Sequence, residues 1–180
     1  ELRSAFELLL MVTPDNASEM EIAQMSNLRT PQGVIGVFKR RGDEAKGERQ
    51  KARGEELVVA LDGVQDPGNL GTIIRLADWF GIEDIVCSAE CADCYNPKVV
   101  QATMGAILRV RVHYTNLSQW LKNQHDTKIY GTFLEGENIY GKTLAPNGLL
   151  IMGNEGNGIR PETQVYINQK LFIPPHPAGC

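Results

Sequence analysis

No stretch of this 180-residue chain approaches the roughly 18–20 consecutive apolar residues that a membrane helix needs. Its opening, Glu1-Leu2-Arg3-Ser4, lacks the basic flank and cleavage site of a secretory signal. The expectation is therefore a cytoplasmic protein with no membrane partner. Cysteine is sparse, with four residues, and only Cys91 and Cys94 form a C-x-x-C pair. A structural zinc site commonly needs a second such pair. None is present, and the nearest histidine, His113, is nineteen residues past Cys94, so no metal is expected. Small buried thiols are the simpler reading.

Two nucleotide-binding signatures are missing as well. Gly68 and Gly71 do not form the G-x-G-x-x-G fingerprint of a dinucleotide fold, and no Gly-Lys-Ser/Thr follows them as in a P-loop. A dehydrogenase is disfavoured on that ground. Histidine is scarce too: His113 and His176 have no visible carboxylate partner in the sequence, which argues against either as a general base. A net charge of −4 argues against a protein that coats nucleic acid unselectively. The charge is nonetheless uneven. Lys39, Arg40, Arg41, Lys46, Arg49, Lys51 and Arg53 face only three acids between residues 39 and 53. Such a segment suits a solvated linker, and it also suits contact with RNA phosphates.

What is present is an ordinary globular composition, 42% hydrophobic and 22% charged, with strands and helices alternating from residue 57 onward. Strands are predicted at 57–61, 84–87, 107–112, 128–133, 149–152 and 170–173. Helices are predicted at 71–80, 97–104, 117–124 and 161–165. This order implies an α/β fold, a mostly parallel sheet with helices on both faces. Residues 1–38 read as part of a smaller α/β module, with strands at 7–12 and 33–38. Ser18 there opens a helix with Glu21 in the capping-box position. Residues 39–55 read as a basic linker and 56–180 as the main domain.

Two glycine-rich stretches hold the polar residues of interest. Asp66-Pro67-Gly68-Asn69-Leu70-Gly71, followed by Arg75, comes after the first strand of the main domain. Gly153-Asn154-Glu155-Gly156-Asn157-Gly158 comes after the strand at 149–152. Both fall where strands of an open α/β sheet give way to loops, the edge at which ligands bind.

These stretches resemble the first and second motifs of the SpoU-type (TrmH-like) RNA ribose 2′-O-methyltransferases of the SPOUT superfamily. Phe172-Ile173-Pro174 resembles the opening of the third motif. Tyr95-Asn96-Pro97-Lys98-Val99-Val100 and Met104-Gly105-Ala106 resemble the stretch between the first two. The likeness covers about residues 57–179. Leu28-Arg29-Thr30-Pro31-Gln32-Gly33-Val34 is similar to the end of the family's ribosomal-protein-like RNA-binding module.

The resemblance implies methyl transfer from S-adenosylmethionine to a ribose 2′-hydroxyl of rRNA or tRNA. It also implies a C-terminal trefoil knot, which alternation alone does not reveal, and a homodimer. By the same similarity Asn69, Arg75 and Glu155 are the catalytic candidates, and Thr132, Gly153 and Ile173 are the cofactor-binding ones. Arg75, with Lys39, Arg40 and Arg41, is the candidate RNA contact. A glycine at 153 would let backbone approach an adenosyl group. A guanidinium stays protonated, so Arg75 is expected to grip a phosphate rather than to remove a proton. The third motif further implies a Ser-Leu-Asn segment after a glycine like Gly179, and this sequence stops at Cys180. The expectation carried forward is an enzyme whose remaining motif lies beyond that point. The alternative is an RNA-binding protein that keeps the fold without catalysis.

Overall fold

The run Leu57–Asp62 is apolar until its last residue, and Val58 to Asp62 are all buried. A strand with both faces covered reads as a continuous apolar run rather than an alternating one, as in parallel sheets. In the computed structural model it is the third strand, and it lies inside a six-stranded sheet. The structure describes residues 7–12, 15–26, 30–31, 33–39 and 56–175. The chain divides into two units, residues 1–42 and 43–180.

In the first unit, β1 (Glu7–Val12) pairs antiparallel with β2 (Ile35–Lys39). Between them lies α1 (Glu19–Met25), whose N-cap is the expected box. The Glu21 amide donates to Ser18 Oγ at 3.3 Å, and the Ser18 amide donates to Glu21 Oε2 at 2.8 Å. These two bonds satisfy donors that a helix start leaves without intrahelical partners.

The second unit contains β3 (Leu57–Asp62), α2 (Pro67–Trp79), β4 (Asp84–Ser88), α3 (Pro97–Thr103) and β5 (Arg111–Thr115). It continues with α4 (Leu117–Leu121), β6 (Ile129–Asn138), β7 (Gly148–Gly153), α5 (Pro161–Gln164) and β8 (Gln169–Phe172). The strand order is β5-β4-β3-β7-β6-β8 and every pairing is parallel. Val58 and Ala60 of β3 join Leu149 and Ile151 of β7 and Leu117, Trp120 and Leu121 of α4 in one buried cluster. Val59 and Leu61 point to the opposite face and are buried too, so both faces of the sheet are covered.

Chain order explains where a site forms. From β3 the chain moves outward to β4 on one side, while β7 returns on the other. The C-terminal ends of β3 and β7 are therefore a switch point, where loops diverge and leave a crevice.

Several boundaries differ from those read in the sequence. The helix predicted at 71–80 begins at Pro67, because Asp66 caps it: its carboxylate accepts the Asn69 amide at 2.7 Å, and Pro67 occupies the first helical position. It stops where Gly81 takes a left-handed φ of +71°. Its buried stripe is Leu70, Gly71, Ile74 and Ala77, and Phe80 just past its end is exposed. The strand expected at 107–112 begins only at Arg111. Met104 and Gly105 both adopt positive φ, and residues 106–108 form a 3₁₀ turn instead. The strand expected at 128–133 runs on to Asn138, because β8 pairs with it on both sides of an irregularity between Thr132 and Glu137. The helix expected at 117–124 ends at Leu121.

Gly71 allows α2 and α3 to approach closely. A Cβ there would lie 2.5 Å from Ala102 Cβ and 2.8 Å from the Val99 carbonyl oxygen. Gly71→Ala is expected to destabilise the protein by about 1–3 kcal/mol, the usual cost of overpacking, measured as a lowered midpoint of urea unfolding.

Candidate active site

The crevice at the switch point is built from the loop after β3, the first turns of α2 and the loop after β7. Asp66, by capping α2, fixes the helix start and with it the direction in which Asn69 leaves the backbone. Asn69 Nδ2 donates to Glu155 Oε2 at 3.2 Å, joining two residues 86 positions apart. Both side chains are exposed to solvent, as residues that meet a ligand must be before it arrives.

The loop that carries Glu155 is organised from within. Asn154 Oδ1 accepts the amides of Gly156 and Asn157, at 2.9 and 3.0 Å. Its Nδ2 donates to the Gly63 carbonyl at 2.8 Å. The backbone of Asn154 also bridges to Gly158 in both directions, at 2.8 and 2.9 Å. One asparagine thus folds the glycine-rich loop and ties its start to the end of β3. The loop's exit is held differently. Asp62 is fully buried at the C-terminus of β3 and accepts the Arg160 amide at 2.9 Å and Arg160 Nε at 2.7 Å.

Two clefts flank this loop. One, of about 610 Å³, is lined by Asp66, Asn69, Thr72 and Ile73 on the α2 side and by Gly153 to Gly156 on the other. The second, of about 880 Å³, lies toward β6 and is lined by Thr132 to Gly136, Gly153 to Ile159, Gln164 and Lys170. The segment 153–156, including Glu155, belongs to both. Each volume falls within the range of small-molecule sites. The second cleft offers backbone, the apolar side chains of Phe133, Leu134 and Ile159, and the Lys170 ammonium, which lies 4.7 Å from the Phe133 ring centroid. That mixture fits an adenosyl group with a charged amino-acid tail.

The structure gathers most, though not all, of the expected residues. Asn69, Glu155 and Gly153 line the first cleft; Thr132, Gly153 and Glu155 line the second. Thr132 donates its hydroxyl to the Ile151 carbonyl at 3.4 Å. Arg75 is exposed on α2, beyond its first turns, because the helix begins at Pro67. It follows Thr72 by three positions, so it flanks the first cleft, and it lies outside the linings of both. Ile173, just after β8, is 54% exposed and also lies outside both linings. Lys39 closes β2; Arg40, Arg41 and the rest of the basic segment lie outside the described residues, as does His176.

The structure supplies a reason for glycine at 153 beyond room for a ligand. A Cβ there would collide with the backbone of Gly158 and Ile159, so the loop's own closure demands glycine. His113 lies on β5, where its Nε2 contacts Asp84 Oδ1 at 2.8 Å beside the Arg111–Asp84 ion pair. Asp84 opens β4, so this cluster sits at the N-terminal edge of the sheet, opposite the crevice.

Cys87 in β4 and Cys91 and Cys94 in the loop after it are buried thiols. Among the described residues no group of three or more His, Cys, Asp or Glu side chains could hold a metal ion, and no helix is long and apolar enough to cross a membrane. The hydrogen bond from Cys87, helped by Ser88 and the Val64 and Gly63 amides, holds the Cys91 thiol down to about 6 against the effect of burial.

Sequence reasoning assigned no part to Asp62, Asn154 or Arg160. A signal for Asp62 existed: it is the one charged residue closing an otherwise apolar run. No local pattern marks Arg160, whose partner lies 98 residues away.

The chain is 29% identical over 160 residues to the 23S rRNA (guanosine(2553)-2'-O)-methyltransferase RlmP of Bacillus subtilis, covering 87% of this chain and 62% of that protein. It is 34% identical over 136 residues to the 23S rRNA (guanosine-2'-O-)-methyltransferase RlmB of Xanthomonas campestris, covering 73% of this chain and 55% of that protein. It thus spans somewhat more than half the length of these relatives. Among solved structures, a TrmH-family protein from Porphyromonas gingivalis superposes with a TM-score of 0.75 at 37% identity, over 88% of this chain and 63% of that one. An rRNA methyltransferase from Sinorhizobium meliloti with AdoMet bound superposes with a TM-score of 0.79 at 27% identity, over 98% of this chain and 74% of that one. The model of the SpoU rRNA Methylase family matches residues 56–179, which takes in both clefts and the loop between them, and the chain belongs to that family.

Proposed function

We propose that this protein transfers a methyl group from S-adenosylmethionine to a ribose 2′-hydroxyl of rRNA or tRNA. The observation that carries the reading is the shared loop: residues 153–156 form a wall of both clefts, and Glu155 meets Asn69 across it. A transfer between two bound molecules needs two pockets with a common boundary where the reacting atoms meet.

The β6-side cleft, with Thr132 and Gly153, is the donor site, and Ile173 extends it from the end of β8. When bound, S-adenosylmethionine supplies an electrophilic methyl carbon on a sulfonium. The α2-side cleft receives the ribose. Asn69 and Glu155 hold its hydroxyl against the shared wall, so orientation lowers the barrier. Arg75, at the flank, grips the neighbouring phosphate with its two-pronged guanidinium. That phosphate, or a water it orders, accepts the hydroxyl proton. Lys39, Arg40, Arg41 and the basic segment that follows add sequence-independent affinity for RNA.

The active protein is a homodimer in the cytoplasm. Leu76, Trp79 and Phe80 follow one another along one face at the end of α2, and Trp79 and Phe80 are 83% and 72% exposed. An apolar cluster of that kind marks a protein contact, and a second copy is the partner the reading requires. The threading of the C-terminal segment into a trefoil knot belongs to the same proposal.

Calorimetry with S-adenosylmethionine and with NAD tests the donor site: saturable binding of the first alone is expected, and binding of NAD alone overturns the reading. Labelled S-adenosylmethionine and RNA from cells lacking the protein test the acceptor. The label is expected in dinucleotides that survive alkaline hydrolysis, since a methylated 2′-oxygen cannot attack the adjacent phosphate.

A further inference from the structure

We propose that Asp62 and Arg160 are positioning residues: their ion pair clamps the exit of the glycine-rich loop to the end of β3 and thereby sets where Gly153 and Glu155 stand between the two clefts. The inference rests on the reading of those clefts given above.

Both ends of the loop converge on one point of β3. At its entry, Gly153 is in register with Asp62, and Asn154 donates to the Gly63 carbonyl. At its exit, Asp62 takes the Arg160 amide on Oδ2 and Arg160 Nε on Oδ1, so both carboxylate oxygens are spent on one residue. Between Gly153 and Arg160 the loop contributes little apolar burial: residues 155–158 are all exposed, and Ile159 alone is buried. Apart from Ile159, which packs into the core cluster, the loop is held by polar ties.

Arg160 also reaches a third segment. Its Nη1 lies 3.0 Å from Glu90 Oε2, in the loop after β4. The guanidinium thus links the C-terminal ends of three elements, β3, β4 and β7. Burial works against the charge of Arg160, and the Asp62 and Glu90 carboxylates outweigh it, so its pKa is raised. The Ser88 hydroxyl, the backbone amide of Glu90 itself and Arg160 hold Glu90 below the usual carboxylate range. None of the three residues lines either cleft. Their influence on a ligand passes through Gly153 and Glu155.

A merely structural pair and a clamp differ in one respect. Removing Arg160 leaves the buried Asp62 carboxylate without its cation and destabilises the fold in either case, whereas replacing both with neutral groups of similar size is often close to neutral for stability. Four forms of the full chain are compared: wild type, Arg160→Met, Asp62→Asn and the double variant Asp62→Asn/Arg160→Met. Melting temperature is measured, with hydrogen exchange of residues 155–159 in the free protein and affinity for S-adenosylmethionine.

Arg160→Met is expected to melt lowest and the double variant to recover most of the loss. At that recovered stability the clamp predicts exchange in 155–159 at least tenfold faster than wild type, and S-adenosylmethionine affinity at least tenfold weaker. Exchange within twofold of wild type overturns the clamp. Faster exchange with unchanged affinity shows a loop whose pose does not govern the ligand, and overturns the positioning role. Should wild type itself fail to bind S-adenosylmethionine, the donor-site reading falls while the exchange arm still decides the clamp. Arg160→Lys keeps the charge without the fork, and it carries the same exchange test if the double variant does not fold. Severalfold faster exchange is then expected, and wild-type exchange refutes the idea.

Discussion

Arg75→Lys is expected to lower the rate of methyl transfer by roughly 100-fold, about as much as Arg75→Ala, while affinity for S-adenosylmethionine stays at the wild-type level. A lysine keeps the positive charge and most of the reach, so a role as a simple point charge predicts a mild defect. The proposed role is different. The guanidinium presents a planar fork that matches two phosphate oxygens, and an ammonium cannot reproduce that geometry. Where Arg75 sits supports this use. It is exposed on α2, three positions past Thr72 of the cleft wall, and no ion pair to it is made among the described residues. It can therefore turn toward an incoming phosphate at little cost in broken contacts. Steady-state transfer to RNA at saturating donor, beside calorimetry, separates the two effects. Near-normal turnover in the lysine variant refutes the bidentate grip, and a parallel loss of donor affinity would move Arg75 into the donor site.

Gly153→Ala is expected to abolish measurable donor binding and to destabilise the fold by about 3 kcal/mol, at the upper end of overpacking costs. The Cβ would meet backbone atoms of Gly158 and Ile159, which cannot swing aside as a flexible side chain could. Relief requires the loop to open, breaking the Asn154–Gly158 bridge and shifting Glu155 away from Asn69. Gly156→Ala supplies the control three residues away. A Cβ there would sit 3.5 Å from Asn154 Oδ1, an ordinary contact, so stability within about 0.5 kcal/mol of wild type is expected. Urea unfolding and donor titration of both variants check the pair. Similar behaviour of the two would mean that loop closure is not what constrains residue 153.

Much of the fold was legible because its determinants are local. The buried strand β3 is marked by an unbroken apolar run, and the start of α1 by Ser18 and Glu21. The true start of α2 was marked as well, since Asp66-Pro67 is a cap followed by a favoured first residue. The length of β6 was not legible. Residues 134–138 are exposed and hold no periodic pattern, and they are strand only because β8 lies beside them. The same distinction divides the site. Asn69, Arg75 and Glu155 stand in short motifs, so the residues could be named from their neighbours. That Asn69 touches Glu155 while Arg75 stays at the flank follows from where α2 begins and how it is rotated.

Sequence alone determined the alternation of strands and helices, the family, and the candidate polar residues, because each is encoded within a dozen neighbouring positions. Only the tertiary structure decided that one loop serves two clefts, that Gly153 is demanded by loop closure, and that Asp62 meets Arg160. Those facts depend on parallel strands far apart in the chain being laid side by side. Parallel pairing brings distant residues into contact through crossovers, and no local propensity records which strand will become whose neighbour.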